Sequence, residues 1–177
     1  MLNYAVFSTE LGYWGMAGSD RTVHAIVIGH PDELSAVKAL REKMSPSAAR
    51  PLIPSDWYPE LREALERFAA GEPIAFHDID VQLPERLTKF QAKVLNQTRK
   101  LKYGETVSYL ELAKRVGHPG AARAVGSVMA NNALPILIPC HRVLGAGGKL
   151  GGFSAPRGTD LKRELLHMED AAHAALL

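Results

Sequence analysis

The sequence predicts an α+β protein in which a small N-terminal antiparallel sheet with helices is followed by a mainly helical domain containing a helix-turn-helix. Three observations carry that prediction. Residues 4 to 28 mix β-branched and aromatic residues with glycine, later segments place apolar residues at helical spacing, and two such segments flank a short turn near residue 118. Charge divides the chain as well. Residues 1 to 84 carry seven Lys+Arg against twelve Asp+Glu, whereas residues 85 to 177 carry fourteen against seven. Pro84 is therefore the expected boundary between an N-terminal α/β support domain (1–84) and a helical domain (85–177). With 46% apolar and 23% charged residues over 177 positions, the composition is ordinary globular usage, enough to bury a core in one domain or two small ones.

Taken in order, Tyr4–Phe7, Tyr13–Ala17 and Val23–Ile28 read as a meander with a turn near Leu11-Gly12, because such side chains fit a pleated, half-buried surface. Pro31 to Lys43 opens with Pro-Asp-Glu and is expected to be a helix with Leu34, Val37 and Leu40 on its apolar stripe. A polar Ser45-Pro46-Ser47 stretch falls in the loop that follows. Tyr58 to Ala70 is a second helix, with Leu61, Leu65 and Phe68 in register and Gly71 as its stop. Ile79, Val81 and Leu83 alternate as one more strand. Beyond Pro84, Thr88 is a candidate cap for a helix to Lys100 carrying Phe90, Val94 and Leu95. After a turn at Tyr103-Gly104-Glu105, Ser108 is expected to cap a helix with Tyr109, Leu112, Ala113 and Val116 on one face, ended by Gly117. His118-Pro119-Gly120 then leads into a helix from Ala121 to Asn131, completing the helix-turn-helix.

The second of these helices cannot read much base sequence. It offers Ala121, Ala122, Gly126 and Ala130 with a single Arg123 near its start, whereas major-groove readout needs several side chains that reach base edges. Small residues suit close packing inside the protein or close approach to a shallow, widened minor groove. The basic balance of residues 85 to 177 is compatible with phosphate binding and equally with a solvated basic face.

Cys140 is the only cysteine, at the end of the apolar run Ile136-Leu137-Ile138-Pro139 and followed by His141-Arg142-Val143. A lone thiol closes no intramolecular disulfide, so packing or reactivity explains it. Pro139 biases Ile138 toward an extended conformation, which is expected to carry the run into the core and leave the thiol at the floor of a cavity. Neighbouring residues of a strand face opposite ways, so His141 can assist Cys140 only through a turn or a relaying water. Both are expected. The seven histidines (24, 30, 77, 118, 141, 167 and 173) show no metal-ligand spacing, and no metal or cofactor is implied. No segment reads as a membrane span or a secretory leader, which gives a cytoplasmic expectation.

Together these residues resemble the O6-alkylguanine-DNA alkyltransferase family, the methylated-DNA–protein-cysteine methyltransferases. The resemblance runs from about Phe90 to Glu169 and rests on Tyr103-Gly104-Glu105-Thr106-Val107-Ser108-Tyr109, Ala121-Ala122-Arg123-Ala124-Val125-Gly126, Asn132 and Pro139-Cys140-His141-Arg142-Val143. It implies direct, irreversible transfer of an alkyl group from O6-alkylguanine in DNA to Cys140, one event per molecule, by residues 85–177 as the DNA-binding and alkyl-acceptor domain. By the same resemblance His141 takes the thiol proton through a water, Glu169 orients that histidine, Tyr109 donates to the leaving guanine, and Asn132 holds the hinge. Arg123 fills the base stack, with Ala121, Ala122, Gly126 and Tyr109 also facing DNA. Met129, Val143, Phe153 and Ser154 are expected around the alkyl pocket. Arg142 reads equally as a structural charge partner or a functional group.

The implied partner is double-stranded DNA bound in the minor groove with little sequence preference, by a monomer that is cytoplasmic and associates with the nucleoid when repairing. Three features bear on these expectations. The run Gly151-Gly152-Phe153-Ser154-Ala155-Pro156-Arg157-Gly158 replaces the family's Tyr-Ser-Gly-Gly pattern and is longer before Lys162, which bears on the range of alkyl groups; Ala133 stands where proline commonly follows the asparagine. Some relatives replace the cysteine and bind damage without repairing it; here Cys140 is present. The alternatives are a non-catalytic helix-turn-helix DNA-binding or damage-sensing protein and a Cys-His hydrolase.

Overall fold

Three consecutive strands, β1 (Leu2–Thr9), β2 (Gly12–Ser19) and β3 (Thr22–His30), form the expected antiparallel meander. The computed structural model describes residues 1–44 and 50–176, so the Ser45-Pro46-Ser47 stretch lies outside the described residues. Two short strands that alternation reveals poorly extend the sheet at its edges. β4 (Leu52–Pro54) pairs parallel to β1, and β5 (Asp80–Val81) pairs parallel to β3, giving the order β4-β1-β2-β3-β5. The strand expected over Ile79 to Leu83 is thus only its Asp80–Val81 part.

Helix α1 (Glu33–Met44) forms where expected and buries Leu40 of the expected stripe, with Val37 half-buried, but its buried row is turned away from Leu34. Ala36, Leu40 and Met44 are its buried residues, whereas Leu34 is 79% exposed. The i, i+4, i+8 row of Ala36 wins because a small residue lets the helix lie close to β2 and β3. Helix α2 (Pro59–Ala69) buries Leu61, Leu65 and Phe68 as its spacing requires. Phe68 is the hub of an aromatic cluster, with ring centroids of Trp14, Phe76 and Tyr103 at 6.4, 5.6 and 5.9 Å.

In the C-terminal part, α3 (Lys89–Arg99) starts with a capping box in which Thr88 and Gln91 each accept from the other's backbone N–H. α4 (Tyr109–Arg115) is capped by Ser108, whose hydroxyl accepts from Glu111 N–H at 3.0 Å. A turn through Gly117, at φ 83°, leads to α5 (Ala122–Ala130). Val107-Ser108 (β6) and Val143-Leu144 (β7) pair in parallel, which ties the start of α4 to the segment after Cys140. α6 (Thr159–Leu176) closes the fold.

The main core does not stop at Pro84. Trp14, Ile26, Leu65 and Phe68 belong to the same buried cluster as Val94, Leu112, Ile138, Cys140 and Leu165. A backbone bond from Ile26 N–H to the Ala133 carbonyl, 2.9 Å, also joins β3 to the segment after α5. The two faces of α1 give a direct check. Leu40→Ala is predicted to lower the unfolding free energy in urea by about 2–5 kcal/mol, as a buried leucine does, and Leu34→Ala to change it by less than about 0.5 kcal/mol; comparable losses from both would place the buried face wrongly.

Candidate active site

The run Leu134–Ile138 is buried, but it coils instead of extending. Ile138 N–H donates to the Leu134 carbonyl at 2.8 Å, and Ile136 sits at φ 73°. A β-branched residue takes that left-handed conformation only at a cost of about 1–3 kcal/mol, so something must hold it. Asn132 does so. Its Nδ2 donates to the Ile138 carbonyl at 2.8 Å and its Oδ1 accepts from Leu134 N–H at 3.0 Å. These bonds hold the coil, and the chain arrives at Cys140 from within the core.

Cys140, His141 and Arg142 form one short 3-10 turn, which supplies the turn that two adjacent residues need in order to cooperate. Cys140 and His141 are both buried. His141 Nε2 lies 2.7 Å from Glu169 Oε1. A carboxylate only accepts, so Nε2 carries the hydrogen and Nδ1 is the basic nitrogen. Nδ1 is buried and has no hydrogen-bond partner among the described residues.

Glu169 is not an exposed helix-end carboxylate; it is 1% exposed. Arg142 Nε and Nη2 donate to its two oxygens at 2.8–3.2 Å, Gly104 N–H donates at 3.2 Å, and Arg142 Nη1 donates to the Leu101 carbonyl at 2.8 Å. Burial by itself would raise the Glu169 pKa, but the hydrogen bond from His141 and the hydrogen bonds and charge of Arg142 outweigh it and hold the carboxyl at about 2. For His141 burial wins and lowers the pKa despite Glu169. The imidazole is therefore neutral, and Arg142 is the charge that keeps Glu169 ionised.

Burial also raises the Cys140 pKa, over the opposing effects of Asn132, Lys162 and Lys43. The resting pair is a thiol beside a neutral imidazole. Lys162 is 1% exposed, and its Nζ donates to the Val143 carbonyl at 2.8 Å. Its ammonium also lies 5.8 Å from the centre of the Tyr109 ring. Burial, then the charge of ionised Cys140, raises the Tyr109 pKa, so this phenol stays a donor. Gly151, at φ 67°, passes so close to the Tyr109 hydroxyl that a Cβ there would collide with it.

A cavity of about 180 Å³ opens against Cys140 and is lined by Asn132, Phe153, Ser154 and Pro156, together with residues of β3 and α1. Phe153 and Ser154 thus line the cavity as expected from sequence. Met129 and Val143 do not. Met129 is buried on α5 with its sulfur 3.8 Å from Thr98 Oγ1, and Val143 points into the core from β7. On α5 Arg123 is exposed, and Ala121, Ala122 and Gly126 are half-buried with no atom within 4 Å of a Cβ built at Gly126. Sequence reasoning passed over Lys162 and left Arg142 undecided. The signal was present: Lys162 and Glu169 lie on the helical row of Leu165, so two charges occupy core positions of α6.

Comparisons with known proteins show what the whole chain is similar to. A family model described as the DNA binding domain of 6-O-methylguanine DNA methyltransferase matches residues 89–171. The chain is 35% identical over 172 residues to the methylated-DNA–protein-cysteine methyltransferase of Methanosarcina acetivorans, covering 94% of this chain and 97% of that protein. It is 39% identical over 169 residues to the protein of the same name from Mycobacterium tuberculosis, covering 96% and 93%. Among solved structures, M. tuberculosis OGT in complex with DNA superposes with a TM-score of 0.77 at 30% identity, covering 96% of this chain and 94% of that one. The O6-methylguanine-DNA methyltransferase of Pyrococcus kodakaraensis gives 0.69 at 26% identity, covering 96% and 99%.

The depressed Glu169 pKa sets an acid-stability window. Its stabilisation is complete above pH 4.5 and is lost as the pH falls from 4.5 toward about 2. Glu169→Gln is predicted to lose about 3–5 kcal/mol near neutral pH, because it leaves Arg142 buried without its charge partner. It should also fall less steeply than the native protein across that acid window in urea unfolding. Equal slopes would show that Glu169 is not held ionised.

Proposed function

The chain belongs to the methylated-DNA–protein-cysteine methyltransferase family, and we propose that it repairs DNA by moving the alkyl group of O6-alkylguanine onto Cys140. The observation that carries this reading is a buried thiol with a cavity against it, next to a neutral histidine whose far nitrogen is fixed on Glu169. Only the thiolate is a competent nucleophile, so the proton must leave as the sulfur attacks. His141 Nδ1 receives it through a water, and Glu169 stabilises the imidazolium that forms. Sγ then bonds to the alkyl carbon in line with the departing O6, and the electron pair goes to O6. Tyr109 donates to the guanine as that charge develops, and the Lys162 ammonium favours the thiolate on the other side. The thioether cannot leave again, so each molecule reacts once.

DNA reaches this site along α5. Its small, open face at Ala121, Ala122 and Gly126 allows close approach to a minor groove, and exposed Arg123 is placed to enter the stack when the alkylated base rotates out. Phosphate contacts then supply most of the affinity, with little sequence preference. The same reading has the protein act as a monomer, in the cytoplasm at the nucleoid.

Intact mass after incubation with a duplex containing O6-methylguanine is predicted to show one methyl per protein, located on Cys140 and absent from Cys140→Ser. An unchanged mass would instead favour a damage-sensing DNA binder, and catalytic release of methanol a hydrolase. Arg123→Ala is predicted to slow repair of the duplex by about 10–100-fold, the scale of a lost base-extrusion contact of a few kcal/mol, with little effect on reaction with free O6-benzylguanine. Equal slowing of both reactions would remove Arg123 from base extrusion.

A further inference from the structure

The cavity against Cys140 has a wall supplied by the N-terminal part. Ile26, Ile28 and His30 of β3, with Ala39 and Lys43 of α1, face Phe153–Pro156 across it. Tyr109, the guanine donor, is not part of this lining, so this is the space for what the base carries at O6. Its surface is mainly apolar apart from Asn132, Ser154 and, on the N-terminal side, His30 and Lys43. Lys38, one turn away on α1, pairs with Glu42 at 3.9 Å. Lys43 forms no ion pair among the described residues. Burial lowers the His30 pKa, with Asp32 opposing and Lys43 adding to that effect, and the Asp32 carboxylate also accepts from Ser35 N–H at 2.7 Å at the start of α1. The wall thus offers an uncommitted ammonium and an imidazole to anything that extends past the sulfur.

We propose that Lys43, assisted by His30, fits this pocket to O6 substituents that end in a carboxylate, with O6-carboxymethylguanine in DNA as the substrate. This rests on the repair reading above. A carboxylate brought into an apolar cavity beside a forming thiolate meets two penalties, desolvation and like-charge repulsion, and a facing ammonium offsets both. The bonds exchanged are those of methyl transfer. The Sγ–CH2 bond forms as CH2–O6 breaks, the pair leaves on O6, the thiol proton goes to His141, and Cys140 becomes S-carboxymethylcysteine. Lys43 touches the substituent and not the reacting bond, so it sets specificity.

The test compares duplexes that carry O6-carboxymethylguanine, its neutral isostere O6-carbamoylmethylguanine, and O6-methylguanine, with transfer followed by intact mass. In the native protein the carboxymethyl adduct is expected on Cys140. Lys43→Gln is expected to lower the ratio of carboxymethyl to carbamoylmethyl rates by about two- to fivefold, as the loss of a solvent-exposed charge partner does, and Lys43→Arg to preserve it. A smaller drop is expected for His30→Ala. An unchanged ratio in Lys43→Gln overturns the proposal, as does a native protein that accepts methyl and refuses carboxymethyl. Failure to accept methyl would strike the repair reading itself.

Discussion

One buried carboxylate organises the site. Glu169 accepts from His141, from two nitrogens of Arg142 and from Gly104 N–H, and so draws together α6, the turn that carries Cys140 and the turn before β6. Arg142 continues the network to the Leu101 carbonyl at the end of α3. An ion pair this deep adds little net stability against well-packed apolar residues, because desolvation takes back most of the attraction. Its value lies in position. With every oxygen of Glu169 engaged, the His141 ring has one orientation, its tautomer is fixed, and its basic nitrogen faces away from the carboxylate.

Burial then sets the chemistry of the nucleophile. A cysteine activated in advance would be an exposed thiolate near cations, open to oxidation and to any passing electrophile. Here burial outweighs Lys162, Lys43 and Asn132 and keeps the thiol protonated, while burial also keeps His141 neutral. The pair is inert until a substrate makes proton transfer worthwhile. That suits a residue that can react only once.

The N-terminal part is more than a scaffold beside this machinery. The ring of Phe68 on α2 packs edge-on against His141, with centroids 6.5 Å apart, and Ile26 of β3 is hydrogen-bonded to Ala133 next to Asn132. β3 and α1 also close one side of the cavity against Cys140. The acidic and basic parts of the chain are distinct in composition, yet they share a core, and the site lies where they meet.

Much of this was legible in the residues alone. The strands, the caps at Thr88 and Ser108, the helix-turn-helix and the Pro-Cys-His-Arg-Val motif depend on local chemistry: side-chain period, hydroxyls that can accept from free N–H groups, and a fixed order of neighbours. What local chemistry could not settle was how far round α1 the buried row turns, since Leu34 and Leu40 are equally apolar and only the sheet against which the helix packs leaves Leu34 exposed and buries Ala36 and Met44. Nor could it show that the run before Cys140 coils, because the bonds that hold the coil come from the Asn132 side chain. Tertiary structure alone decided the burial of Glu169, Arg142 and Lys162, and that Lys43 lines the same cavity as Cys140. The reason is physical: whether a charge is solvated, paired or enclosed depends on what distant segments bring to it, and no window of sequence contains that information.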